Sequence, residues 1–381
     1  MTRRPLHGWL TAEAISLTGT RLSTLALPWF ALTTTGSPTK TGLVTLFEVA
    51  PMVLLKILGG PWIDRLGARR VAITCDTASV LVVGLIPLLY AADQLHFVTF
   101  LLLVAAAGAL RGPGDAAKQA LAPQVAIAAT VPTERVTGLY ATVERSASMI
   151  GAAVGGVLIA AVGAPGAITV DACSFLVSAS VMALTTTGLR RPRAARHAEP
   201  YLRQLREGWS FLRLDRVLLG LMFMVALTNL LDSSMSSVLM PVWGHQRGSV
   251  ATIGLLMAVF AGCSAIGSAV AAAYASRLPR YWIYLVGFIV CGVPRYVALA
   301  FHIPLWTIVA IYVLAGFGSG FLNPILGAVE LERIPAPLVG RVTSLVSAAA
   351  WGLMPLGGLL GGGLVSWVGL TYALLVVGGA Y

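Results

Sequence analysis

The sequence is poor in charge. Of its 381 residues only 11% are Asp, Glu, Lys or Arg, against roughly 25% in soluble globular domains. Spread over the full length, that scarcity excludes a soluble enzyme. Disorder is excluded too, because 57% of the residues are hydrophobic and a chain this apolar does not stay solvated. Cysteine is equally sparse: Cys75, Cys173, Cys263 and Cys291 stand singly in apolar stretches, as small buried hydrophobes do. The histidines (His7, His96, His197, His245, His302) show no metal-ligand spacing. A Walker-type phosphate loop is missing, so ATP is not the energy source. No Ser/His/Asp or Cys/His constellation stands out, and no enzyme activity, cofactor or metal is expected.

What the chain does have is long apolar runs. At roughly 20 residues per bilayer crossing, they fall at 9–33, 42–63, 71–91, 96–117, 136–162 and 166–188, then at 217–241, 251–275, 281–301, 304–328, 340–366 and 369–381. The Arg3-Arg4 start resembles a signal peptide, but its apolar run is too long and lacks a cleavage site, so it reads as the first span. The expected fold is an all-α polytopic membrane protein of two six-helix bundles, residues 1–188 and 217–381, with the twelfth helix apparently truncated.

The basic residues orient it. With a cytoplasmic N-terminus, 19 of the 26 Lys and Arg fall on the cytoplasmic side, including Arg65, Arg69, Arg70 and the run Arg190, Arg191, Arg193, Arg196. Only Lys40 and Arg247 fall opposite, while Arg21, Lys56, Arg111, Arg145 and Arg295 lie within spans. The net charge of +11 therefore marks the inner membrane face and not nucleic acid. Between the bundles, 189–216 is a basic linker in which Leu202, Leu205, Trp209 and Leu212 recur at helical spacing, as in an amphipathic helix on the inner leaflet.

The halves repeat one another. "RVTGLY" (135–140) returns as "RVTSLV" (341–346), an offset of 206 that carries Gly151, Gly155 and Gly156 onto Gly357, Gly361 and Gly362. "STLALPW" (23–29) is echoed by "SSVLMPVW" (236–243). Parallel six-helix repeats build secondary transporters with a site near the bilayer midplane.

The segment "GPWIDRLGARR" (60–70) then carries a resemblance to the major facilitator superfamily, covering essentially the whole chain. It matches that family's signature loop through Gly60, Asp64, Arg65, Gly67, Arg69 and Arg70, with Asp64 suited to a helix N-terminus. The resemblance implies a cytoplasmic latch between the halves in the outward-open state. The second half offers "ASRLPRYW" (275–282), which lacks the acid, so the latch is expected to be one-sided. "GAAVGG" in helix 5 is similar to the antiporter motif through Gly151, Gly155 and Gly156, with Ala152 in place of proline; the resemblance implies export. "GTRLSTLALPW" (19–29) looks like the drug:proton antiporter branch, macrolide-efflux-like members above all, although Thr20 stands where many of those carry an acid.

Charges inside spans cost about 2.5 kcal/mol or more, so they face partners or water-filled cavities. Arg21 and Asp232 lie at similar depth in corresponding helices, and a pair between them is the first candidate gate or coupling site, with Asn229 one turn from Asp232. Arg111 and Glu144 match in depth and are expected to pair. Gly112, Pro113 and Gly114 are expected to break helix 4. Glu13 and Glu48 are the remaining proton-carrier candidates, and Asp171 the least favoured acid. Phe30, Phe47, Met52, Met222, Phe223 and Trp351 are candidate cavity walls.

The expectation is a monomeric, proton-coupled exporter of amphipathic organic compounds in the inner (plasma) membrane, with lipids, a small organic substrate and protons as its partners. Glu144 and Asp232 would be its proton-linked groups. A narrow exporter of one metabolite, peptide or lipid is the alternative within transport. A lipid scramblase or receptor on the same fold is the alternative outside it.

Overall fold

The computed structural model describes residues 3–189, 201–247, 249–274, 279–335 and 338–381. Among them nine helical stretches are long and apolar enough to cross a membrane. The chain divides into two compact units, residues 1–194 with 244–258, and residues 195–243 with 259–381. The basic run Arg190, Arg191, Arg193, Arg196 and most of the 275–278 turn lie outside the described residues.

The first unit is built on α1 (Arg4–Thr35), α2 (Pro38–Leu58), α3 (Gly60–Leu66), α4 (Ala68–Ala91), α5 (Phe97–Ala120), α6 (Ala122–Ala129) and α7 (Thr133–Thr185). Local chemistry sets the boundaries. Gly36, at φ 63°, closes α1 by donating to the Leu32 carbonyl. Ser37 then caps α2 ahead of Pro38 at its first position. A core around Trp9, Ala72, Leu121, Val136 and Met182 joins α1, α4, α5 and α7. Helix α5 does not break at Gly112-Pro113-Gly114 as expected. Pro113 forfeits one internal hydrogen bond, but all three residues are buried, and their missing side chains let α5 press onto the backbone of α2.

In the second unit, α8 (Tyr201–Leu212) is followed by α9 (Arg216–Ser234), a π-helical turn at Met235–Leu239, and α10 (Met240–Arg247). Then come α11 (Val250–Tyr274), α12 (Arg280–Cys291), α13 (Val293–Ala300), α14 (Leu305–Arg333), α15 (Val339–Gly352) and α16 (Met354–Ala380). The linker helix α8 lies against α15 as well as presenting Trp209 outward. Gly208 sits under Leu345 and the Arg341 carbonyl, and Leu212 is buried with Leu218, Met222, Ile334, Val342 and Val346. Its apolar face is thus covered in part by protein; the side chains of Leu202 and Leu205 lie outside the described residues.

Packing repeats the sequence repeat. Helix α7 is 53 residues long, too long for one crossing, and is divided at Gly163 with φ 76° and ψ 169°. Helix α16 turns in the same way at Gly369 with φ 79° and ψ 168°, a position displaced by the same 206 residues. Positive φ at both corners is open to glycine and strained for other residues. Gly151 packs on Arg21 of α1, and Gly357 packs on Leu230 and Ser233 of α9. Gly108 and Gly112 lie on the carbonyls of Glu48 and Met52, while Gly316 and Gly320 lie on those of Phe260 and Ser264. Such small-residue crossings supply close van der Waals contact where lipid removes the hydrophobic drive.

Candidate functional site

Each unit carries ionised side chains in its interior, and they pair within the unit. In the first, Arg111 donates to Glu48 Oε1 at 2.8 Å, and both side chains are largely buried. This corrects the expected Arg111–Glu144 pair. The glycines of α5 bring it onto the Glu48 turn of α2, whereas Glu144 on α7 is exposed. Asp171, fully buried, accepts hydrogen bonds from Ser23 on α1 and Ser174 on its own helix.

A second ion pair was not among the expected site residues. Lys118 Nζ donates to Asp76 Oδ1 at 2.9 Å and to Ser16 Oγ at 2.8 Å. Asp76 also accepts from Ser178 at 2.7 Å, so α1, α4, α5 and α7 all meet here. Trp9 donates its indole N–H to the Lys118 carbonyl at 3.0 Å and stacks on Tyr140. Lys118 had been counted with the cytoplasmic basic residues because it lies near the end of its helix; its side chain is 1% exposed. The available signal was Asp76 itself, an acid in the middle of the 71–91 apolar run.

Glu13 is 3% exposed, and its Oε1 has no hydrogen-bond partner. Arg21 is half-buried against Gly151, with its Nε unpartnered. Asp232 does not await Arg21. It accepts from Arg295 at 2.7 Å, with the Tyr296 hydroxyl 3.4 Å from the same Oδ1. The Arg295 guanidinium lies over three rings, Phe260 at 5.0 Å, Tyr296 at 5.5 Å and Tyr381 at 5.7 Å, each contact contributing roughly 0.5–2 kcal/mol. Burial is uneven: the Arg295 side chain is 8% exposed and that of Asp232 41%. The cation is enclosed while its counter-ion remains reachable.

Among the expected cavity walls, Phe30 and Met222 are core residues. Phe30 is 3% exposed and meets Tyr90 and Phe100 edge-on, because the inner face of α1 turns it into the bundle. Met222 is buried under α15. Phe223 and Trp351 are exposed, Phe47 is at the margin, and Met52 is half-buried. Asn229 donates to the Ala350 carbonyl at 2.9 Å, tying α9 to α15. In the signature loop Asp64 lies in the last turn of α3 and is exposed; it does not reach the first turn of α4. Arg69 instead fixes the loop, donating to Thr186 Oγ1 at 3.0 Å and to the Ala183 carbonyl at 2.8 Å.

Membrane-length helices around enclosed ion pairs define a polytopic membrane transporter. The sequence model of the Major Facilitator Superfamily matches residues 9–231 and 222–381. The chain belongs to that superfamily, and it is a multi-pass protein of the cell membrane. It is 28% identical to the multidrug efflux pump Tap of Mycobacterium tuberculosis, with 98% of this chain and 90% of that protein aligned. It is 29% identical to Tap of Mycolicibacterium fortuitum, at 98% and 92% coverage. In solved structures the nucleoside transporter NupG superposes with TM-score 0.76 at 14% identity, covering 100% of this chain and 96% of that one. A bacterial homologue of the iron transporter ferroportin gives 0.71 at 16% identity, covering 99% and 96%. These structural likenesses establish the fold alone.

Proposed function

We propose that the protein exports amphipathic organic compounds by alternating access, in exchange for protons. The observation that carries this is the near-full-length relation to two mycobacterial proteins named multidrug efflux pumps. The unevenly buried Asp232–Arg295 pair supports the coupling. Proton binding to the reachable carboxylate cancels the charge that holds an enclosed guanidinium, so protonation state and helix position become linked. The N-terminus faces the cytoplasm, as the bias of basic residues requires, and residues 1–188 and 217–381 act as the two halves joined by the 189–216 linker. In this scheme Glu144 lines the transport path of the first half, and Arg21 and Asn229 face the substrate route.

The test is transport in proteoliposomes under an imposed pH gradient, with fluorescent cationic dyes and macrolides as probes. Dye accumulation that follows the gradient and disappears with Asp232→Asn is the expected result. Accumulation indifferent to the gradient overturns the proton coupling. No movement of any probe by active protein turns the assignment to a single endogenous substrate, and lipid movement without a gradient turns it to scrambling.

A further inference from the structure

The unpartnered Glu13 oxygen sits in a defined electrostatic setting. Trp9, Glu13 and Ser16 share one face of α1 by their spacing, and all three are buried. Trp9 and Ser16 both bond to Lys118, one through its carbonyl and one through its ammonium. Glu13 lies between them, so its carboxyl is held against the same stretch of α5. An ammonium has three donors; Asp76 and Ser16 occupy two of those on Lys118. Two carboxylates thus flank a single cation. Other titratable groups around Glu13 are Asp115 on α5, Glu144 and Tyr140 on α7, and Cys75 beside Asp76 on α4. The carboxylates of Asp115 and Glu144 add negative charge and none of these groups supplies a second cation.

With Glu13 and Asp76 both ionised, the trio carries one uncompensated negative charge in an interior that does not tolerate it. Something of positive charge must complete the site. Its size is limited, because Glu13 Oε1 is buried beyond the reach of a water molecule. We propose that Glu13, Asp76 and Lys118 form a one-proton site in the first unit, with the proton on Glu13 while Lys118 is bonded to Asp76. This deepens the function proposed above and rests on that reading for its link to transport. When Lys118 turns to Glu13, the O–H bond of Glu13 breaks and its proton leaves to water. Asp76, now without its cation, takes one proton from water, so the site still holds one. Because water does not reach Oε1 in this conformation, the exchange requires α1 to part from α5 around Trp9. The buried indole contact makes proton exchange conditional on helix movement.

The test combines infrared difference spectroscopy of the full chain in lipid with the pH-gradient assay. The wild type is expected to show the C=O stretch of a protonated carboxyl, and Glu13→Gln is expected to remove it. Glu13→Asp, which keeps a titratable group on a shorter arm, is expected to restore a band at shifted frequency. In the gradient assay Glu13→Gln is expected to lose driven accumulation while retaining dye binding. A carboxyl band unchanged in folded Glu13→Gln overturns the site, and so does driven transport that survives the substitution at wild-type level. If wild-type transport ignores the gradient, the exporter's proton coupling falls, and the band in wild type against Glu13→Gln still decides the site by itself.

Discussion

Arg295 and Asp232 meet at 2.7 Å where the helices of both are interrupted. Asp232 lies just before the π-helical turn at Met235–Leu239. Arg295 lies just after Gly292, whose φ −83° and ψ −99° separate α12 from α13. Single π turns concentrate at functional sites because the widened turn re-aims neighbouring side chains. Here the two breaks bring a cation and an anion together from helices that would otherwise run past one another.

Removing one member of this pair strands the other. Arg295→Gln leaves a largely solvent-reachable carboxylate, whereas Asp232→Asn leaves an enclosed guanidinium among three rings. Loss of one partner of a buried pair costs about 3–5 kcal/mol, and Asp232→Asn is expected to fall at the lower end because its side chain is 41% exposed. Thermal unfolding in detergent should rank Asp232→Asn below Arg295→Gln, and the double variant above Asp232→Asn alone. A double variant no more stable than Asp232→Asn would show that the pair does not set stability.

Glu48 and Glu144 should behave differently. Glu48→Gln weakens the buried bond to Arg111, so it should lower the unfolding temperature by several degrees, and Glu48→Gln with Arg111→Met should recover part of that. Glu144→Gln touches no pair and should unfold with the wild type. Size-exclusion stability assays across temperature decide this. Equal destabilisation by Glu48→Gln and Glu144→Gln would return Arg111 to a partnership with α7.

The glycine crossings predict paired sensitivity. A methyl group at Gly108 would run into the Glu48 backbone, and one at Gly316 into the Phe260 backbone. Overpacking of this kind costs about 1–3 kcal/mol. Gly108→Ala and Gly316→Ala should each destabilise, while Gly138→Ala, where a methyl meets nothing within 4 Å, should not. Circular dichroism melts compare the three directly.

Asp215 gives a pH dependence at the start of α9. Burial opposes ionisation of its carboxyl, but the Leu218 N–H, the Arg333 guanidinium and the Val217 N–H together hold it below the usual carboxylate range. A depressed group contributes stability fully above its unfolded value, about pH 4, and that contribution fades as pH falls through the folded value. The effect is modest, since the partner is exposed and screened. Hydrogen exchange at Val217 and Leu218, corrected for intrinsic rates, should quicken on acidification in the wild type. Asp215→Ala should remove that dependence and exchange fast throughout. A wild type and alanine variant with the same pH profile would exclude the cap as its origin.

Hydropathy and charge placement read correctly for the membrane class because they are one-dimensional quantities. A run of about 20 apolar residues needs no partner to announce a crossing. The repeat was legible for the same reason, and its 206-residue offset reappears at Gly163 and Gly369, where two crossings are divided by glycines of the same conformation. The linker helix was legible as a helix, but not the cover that α15 lays over Gly208 and Leu212.

Pairing was another matter. Depth along a helix says which residues share a level, and Arg111 does share one with Glu144, but it says nothing about rotation around the axis. The turn of α5 that carries Gly108 and Gly112 decides that Arg111 faces Glu48, and this depends on backbone approach that no spacing rule contains. Lys118 was hidden by its place near a helix end, although Asp76 and Ser16 draw it inward. Composition by itself determined that this chain lives in a bilayer, how it threads and which side its basic residues face. Only the tertiary structure decided which charges neutralise one another, since electrostatic attraction falls with distance in three dimensions and the sequence records distance in one.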